Sequence, residues 1–460
     1  MNGVSLLTMD LVIKNGRVFT PIGLVEASLC IENGKIMSIT KLPSETRADK
    51  VIDAGGNLVL PGMIDMHVHF RDPGSPERED FETGTRSAAA GGVTTVADMP
   101  NTIPPVTSAE VFKDKRRIME PKAIVDFTLV AGAGSVSEEA LISLADAGAI
   151  AFKTFMISRF KELAASDGQM LDNFAVIAKT GRPCLIHAEN ENIVSWGLEK
   201  ARAMGRLDPL AYAEFRPPIA EVEATMRALL LAEEASTRLH ICHMTAKGAV
   251  DFLAWAKARG VKATGETSPN YLLLSLDALK KLGPYAKIDP PLRGPEHRER
   301  LWEALREGVL DAVASDHAPY TREEKEKGWQ DIFEAPSGSV GVETTLPLML
   351  DSVNRDLLSL KRLVEVFSTN PAKILGLYPR KGIVSIGADA DLVVVDMKRH
   401  FEIRGENLHS KQKATPFEGY RGKGIPLLTI LRGETVMENG EVMGRRGYGI
   451  FLTPLNEKIL

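Results

Sequence analysis

From residue 61 onward the chain repeats one unit: a short apolar run, a loop, then a run of helical period. The apolar runs predict strands over Met63–Phe70, Thr94–Met99, Ile124–Val130, Ala149–Met156, Cys184–Ala188, Leu239–Met244, Val261–Glu266 and Ala312–Ser315. Between them Pro76–Gly91, Glu138–Ala147, Ala220–Ser236 and Lys247–Ala258 have the spacing of helices. Eight strands separated by helices favour a closed (β/α)8 TIM-type barrel over an open sheet. An open doubly wound sheet would carry a glycine-rich phosphate turn after its first strand, and none stands there.

The two ends of the chain read differently. Residues 10–60 alternate in polarity and turn at Asn15-Gly16 and Asn33-Gly34, two hairpin signals. After about residue 385 the β pattern returns, in Ala390–Asp396, Leu427–Gly433 and Thr435–Val442. The economical arrangement is one small β-sandwich built from both termini, residues 1–60 and 385–460, flanking a barrel over 61–384. A chain of 460 residues has the length for both. Met1–Thr8 lacks the basic start and long apolar core of a signal peptide and is expected to be a frayed extension. No apolar run reaches the roughly 18 residues that span a bilayer. A net charge of −5 gives no general affinity for nucleic acid. The basic run Lys113–Arg117 is read as a solvated helix face. Three cysteines, Cys30, Cys184 and Cys242, are too few and too odd in number for a disulfide framework. They indicate a reducing, cytoplasmic setting, with Cys184 and Cys242 as small buried hydrophobes.

In a barrel, chemistry sits at the C-terminal ends of the strands. The first predicted strand ends His67-Val-His69-Phe-Arg71. Residues two apart on a strand share a face, so both imidazoles aim at one point, as metal ligands do. The fourth strand carries Lys153, the fifth ends at His187, the sixth at His243 and the eighth at Asp316. Each alone has an ordinary reading: a surface pair, a hydrogen-bonded core histidine, a helix cap. Four of the nine histidines, with an aspartate and a lysine, at one rim make a metal site. His240 is expected to be structural or to stand behind the ligands, His297 to lie on a solvated helix face, and His317 to point away from the pore. Lys153 is the odd member, because an ammonium beside two cations is repelled. A salt bridge to an acid is its ordinary alternative. Addition of CO₂ to the amine gives a carbamate, an anionic two-oxygen ligand that could bridge two cations roughly 3.5–4 Å apart. Burial favours the neutral amine that this addition needs.

Asp65-Met-His67-Val-His69-Phe-Arg71-Asp-Pro-Gly74, Asp98-Met-Pro-Asn101-Thr, Phe152-Lys153-Thr-Phe-Met, His187-Ala-Glu, His243-Met-Thr and Ser315-Asp316-His317-Ala-Pro resemble the cyclic amidohydrolases of the amidohydrolase superfamily. That group includes dihydroorotase, allantoinase and hydantoinase, and the resemblance covers nearly the whole chain. Within the group, the arginine after His-x-His, Met99–Thr102, Pro290–Arg293 and Gly341–Pro347 are similar to dihydroorotase. The resemblance implies reversible cyclisation of N-carbamoyl-L-aspartate to dihydroorotate, in pyrimidine biosynthesis. Allantoinase or hydantoinase-like ring opening is the alternative. It implies two Zn²⁺ per subunit bridged by carboxylated Lys153, with His67, His69 and Asp316 on one ion and His187 and His243 on the other. Asp316 would carry the proton. His69, Arg71 and Asn101 would contact the substrate, a guanidinium fork suiting a carboxylate. Pro336, Ser337 and Gly338, late in the segment Thr321–Ser339, would line the mouth through backbone groups. A homo-oligomer acting on a small molecule, with no nucleic-acid or membrane partner, is the setting implied. Three positions depart from the dihydroorotase pattern: Tyr320 replaces a histidine, Asp289 an asparagine, and Asn270 the histidine of Ser-Pro-His. All lie on the substrate side. A non-catalytic scaffold of this fold generally lacks metal ligands, whereas all six positions are filled here.

Overall fold

The computed structural model describes residues 9–41 and 47–455; the expectation for Met1–Thr8 falls outside them. Eight parallel strands follow one another in chain order: Met63–Val68, Val93–Asp98, Asp126–Gly132, Ala151–Phe155, Cys184–His187, Leu239–Ile241, Ala263–Thr267 and Ala312–Val313. The first and last meet through a parallel bridge between Val68 and His317. There the His69 N–H donates to the His317 carbonyl at 2.8 Å, and the Asp65 carboxylate accepts the Ser315 N–H at 3.2 Å. The barrel is thereby nearly closed. Every residue of its first three strands is buried, as a parallel sheet covered by helices on one side and packed inside on the other requires.

Several strands stop short of the predicted ends. The first leaves the ladder at Val68 rather than Phe70, and the sixth at Ile241 rather than Met244. The reason lies in the backbone: Arg71, His243 and Asp316 have φ of 60°, 36° and 48°. Left-handed φ is costly for residues with a Cβ and breaks a strand. The helix Phe81–Ala90 also starts later than expected, because the Asp80 side chain caps it by accepting the Thr83 N–H at 2.9 Å. The basic run at 113–117 is corrected in part. Lys115 is buried, its ammonium 2.6 Å from Asp98 and donating to the Met99 carbonyl at 2.7 Å.

The termini build one nine-stranded, mostly antiparallel sheet. Five strands come from the N-terminal side, Met9–Thr20 to Leu58–Pro61, and four from the C-terminal side, Leu392–Glu402 to Glu441–Val442. The join is Leu58–Pro61, antiparallel to Leu392–Val395 and parallel to Arg17 and Val18. Its core includes Leu11, Ile13, Leu29, Val59, Leu392 and Ile430. Barrel and sheet are tied by a buried charge cluster. Lys381 Nζ lies 2.6 Å from Asp126, at the start of the third barrel strand, and 2.5 and 2.9 Å from Asp391 and Asp389 beside the sheet.

Candidate metal centre

The barrel gathers the six predicted ligand positions at one rim. His67 Nε2 and His69 Nε2 lie 3.5 and 3.4 Å from the same Asp316 oxygen, and these three ligand atoms fall within 4.8 Å of one another. Nδ1 of His187 faces Nε2 of His243 at 3.0 Å. The His67 and His243 rings are 5.4 Å apart, which joins the two groups. Burial pushes His69 down to about 3 and His187 to about 4, and holds His243 well below its usual value. Three imidazoles are therefore neutral, the form that ligates. Asp316 stays below the usual carboxylate range: burial opposes ionisation, but the charge of His67 and the hydrogen bond from His69 outweigh it.

The donor set fits divalent cations. Two neutral imidazole nitrogens turned toward each other, and two more turned on one carboxylate oxygen, are nitrogen and oxygen donors of the kind Zn²⁺ takes. Lys153 is fully buried, and its Nζ lies 2.8 Å from Cys242 Sγ. Among the described residues no carboxylate lies within ion-pair distance of it, which leaves its ordinary salt-bridge reading without a partner. Cys242 is buried, and it also faces the site: its sulfur groups with His67 and Glu266.

Behind these side chains stands a layer of which the sequence reading anticipated only His240. His67 Nδ1 lies 2.5 Å from Glu266, whose other oxygen lies 3.2 Å from His240 Nε2. Although burial and Lys153 oppose it, Glu266 and Asp316 raise His67 to about 10. His187 Nε2 lies 2.6 Å from Glu189, which Arg216 grips with two nitrogens. A ligand imidazole whose second nitrogen meets a carboxylate is held in one orientation. Glu266 closes the seventh predicted strand, and that position is the signal that would have found it. His297 is not solvated as expected. It is buried, and its Nδ1 accepts the Lys247 N–H at 3.0 Å, capping a helix whose cap residue, Ala246, offers no side-chain oxygen. His317 accepts from Gly341 and Val342 at 3.1 and 3.3 Å and stays out of the imidazole cluster.

Among the residues predicted to contact the substrate, Arg71 is 9% exposed, and among the described residues its guanidinium makes no hydrogen bond or ion pair. It stacks on the Tyr320 ring at 4.7 Å, and Arg78 stacks on the same ring at 4.9 Å. Asn101 Oδ1 and Asn270 Oδ1 are also buried without partners. Asp289 spends both oxygens on cations, one on Arg216 at 2.8 Å and the other on Arg159. Its charge is thus cancelled within the wall. The segment carrying Pro336, Ser337 and Gly338 packs against the chain leaving Asp316, through a His317–Ser339 bridge. Two buried lysines shape it. Lys287 Nζ donates to the carbonyls of Ile332 and Ala335, and Lys325 Nζ to those of Lys287, Pro336 and Gly338.

A nearly closed parallel barrel with four imidazoles, an aspartate and a buried lysine at its C-terminal rim defines a hydrolase of the metal-assisted kind. Residues 58–436 match the amidohydrolase family, and the chain belongs to it, in the cyclic amidohydrolase branch. It is 39% identical over 451 residues to an L-hydantoinase of Paenarthrobacter aurescens, covering 97% of this chain and 98% of that protein. It is 39% identical over 453 residues to a dihydroorotase of Methanosarcina acetivorans, covering 96% and 95%. A solved structure of the L-hydantoinase (dihydropyrimidinase) from Arthrobacter aurescens superposes with a TM-score of 0.95 at 38% identity, over 97% of this chain and all of that one. The chain is accordingly a hydrolase of cyclic amides.

Proposed function

We propose that the protein is a dihydroorotase, interconverting N-carbamoyl-L-aspartate and (S)-dihydroorotate in pyrimidine biosynthesis. The observation that supports this reading is Arg71. Its Nε is buried with no partner, and among the described residues no carboxylate lies within ion-pair distance, so the fork is free to take an anionic group, and the ring carboxylate of dihydroorotate is one. Asn101, with its own unsatisfied oxygen, stands on the predicted carboxylate side. Tyr320 offers its ring face to Arg71 and so orients the fork. Because Arg159 and Arg216 neutralise Asp289, that aspartate does not repel an anionic substrate.

His67, His69 and Asp316 would hold one Zn²⁺, His187 and His243 a second, and carboxylated Lys153 would lie between them. When bound, the ions supply polarisation of the amide carbonyl and acidification of water. Asp316, kept ionised by its imidazole neighbours, accepts the proton of the attacking water and hands it to the ring nitrogen that leaves. Glu266 and Glu189 fix the orientation of His67 and His187 throughout. Barrel residues 61–384 supply every one of these groups, framed by segments 1–60 and 385–460, and the three unpaired buried cysteines accord with a cytoplasmic setting.

Hydantoinase-type ring opening is the second reading. It is favoured by the similarity to L-hydantoinase and by the departures at Tyr320, Asp289 and Asn270. The deciding experiment is turnover of dihydroorotate, allantoin and a 5-substituted hydantoin at equal enzyme concentration. Dihydroorotate should be the preferred substrate; if it is inert while the hydantoin or allantoin opens, the dihydroorotase reading fails.

A further inference from the structure

A second cavity opens at the other end of the barrel, under the N-terminal ends of the fifth, sixth and seventh strands. Its volume is about 790 Å³, within the range of small-molecule sites. Lys179 reaches it from the end of the helix Asp167–Thr180, Arg182 from the turn into the fifth strand, Arg238 from just before the sixth, and Lys262 from just before the seventh. Lys373 comes from the helix Asn370–Ile374. Among the described residues that line it there is no acidic side chain.

The charges are crowded there. Burial, and then the neighbouring Arg238, lower the Arg182 guanidinium below its usual value, with Asp146 opposing. Arg182 Nε is buried with no hydrogen-bond partner. Arg238 is fixed at the wall by the carbonyls of Gly181 and Ile374, at 3.0 and 2.9 Å. The Lys373 ammonium rests over the Tyr378 ring at 5.1 Å. Lys179 pairs with the Glu138 carboxylate at 3.3 Å, and both side chains are exposed. Cations converging from three connections and two helices, with an unsatisfied guanidinium N–H among them, attract an anion with several charged oxygens. Their spread around the wall suits a chain of phosphate groups better than one carboxylate.

We propose that this cavity binds a phosphate-bearing small molecule, its polyphosphate held by Arg182, Lys373 and their neighbours, on the barrel face opposite the metal centre. The test is calorimetric titration of the full-length protein with sodium tripolyphosphate and, separately, with ATP. Both are run without added magnesium and repeated on an Arg182→Gln/Lys373→Gln variant. Wild type should bind with a Kd below about 1 mM, and the double variant about tenfold or more weakly with turnover unchanged. Equal affinity for the two probes means that only the polyphosphate is read. ATP binding about tenfold tighter means that the nucleoside is read as well, at Tyr378. Absence of binding to wild type, or undiminished binding to the variant, overturns the proposal. Should the double variant fail to fold, Lys262→Glu, on an exposed side chain, serves instead: weakened binding supports the site and unchanged binding refutes it.

Discussion

Arg71 is the side chain at which the dihydroorotase reading can be tested against ring opening of an uncharged hydantoin. Its guanidinium is buried, stacked on Tyr320 and unpaired. If it holds a substrate carboxylate, Arg71→Met should lower kcat/KM for dihydroorotate by about 100-fold, chiefly through KM, the loss of a charge-assisted bidentate contact. Turnover of an uncharged hydantoin should change by less than about threefold. Equal losses on both substrates would make Arg71 a purely structural residue. Lys153 gives the second prediction at this scale. Lys153→Ala should abolish turnover, and a short carboxylic acid added in solution should restore part of it by supplying the two oxygens of the carbamate. Rescue by the acid but not by a neutral amide of the same size is the expected result; equal response to both would remove the carbamate from the mechanism. The convergence of the candidate ligand positions was legible because His67, His69, His187, His243 and Asp316 fall at or near the C-terminal ends of predicted strands and Lys153 lies within one, where barrel topology dictates convergence. Cys242 was not, because an apolar strand-like run does not say that its sulfur lies 2.8 Å from Lys153.

Charged segments were the least legible elements, and for one physical reason: sequence shows that a side chain is charged, not which way it points. Lys115 sits in a basic run yet is buried on Asp98. Lys325 sits in the charged stretch Arg322–Lys327, yet it is 4% exposed and donates to the carbonyls of Lys287, Pro336 and Gly338. Strand cores, by contrast, were predicted nearly to the residue, because burial on both faces leaves an unbroken apolar run. Their ends were less exact: the third, fourth and seventh begin two residues later than predicted, and the first, sixth and eighth stop short of Arg71, His243 and Asp316, which turn the chain through left-handed φ. Lys325 carries a pH prediction. Burial pulls its amine down to about 7 from an ordinary 10.5, with Glu324 opposing. Between those values the unfolded chain binds a proton that the folded chain has released. This group's contribution to stability therefore rises with pH across that window and is lost as pH falls through about 7. The slope is at most about 1.4 kcal/mol per pH unit. Urea denaturation of wild type and Lys325→Met at pH 7 and pH 9 should show the stability difference shifting toward wild type at the higher pH. A difference independent of pH would mean that Lys325 titrates normally.

At the scale of the whole molecule, the barrel and the terminal sheet are joined through charge as well as apolar packing. Lys381 is 2% exposed and touches Asp126, Asp389 and Asp391, with Arg432 also on Asp126, and Lys35 and Arg380 also on Asp389. The carboxylates of Asp391 and Asp126 hold the Lys381 ammonium above its usual value against the cost of burial. Burial likewise opposes ionisation of Asp389, but Lys381, Lys35 and Arg380 hold it at about 2. Replacing a buried ion pair outright can be neutral, but removing one partner leaves uncompensated charge and typically costs about 3–5 kcal/mol. Lys381→Met should therefore destabilise the protein by that amount at pH 8. The sign of its pH dependence follows. Without the ammonium, Asp389 and Asp391 move upward, so the folded variant takes up protons before the unfolded chain does as pH falls. The deficit should shrink between pH 8 and pH 5, measured by urea denaturation of both proteins at each pH. A deficit below about 1 kcal/mol, the size of an exposed pair, would show that apolar packing alone seats the barrel on the sheet. A deficit of full size that does not shrink on acidification would place the loss in a cavity at Lys381 rather than in the three carboxylates.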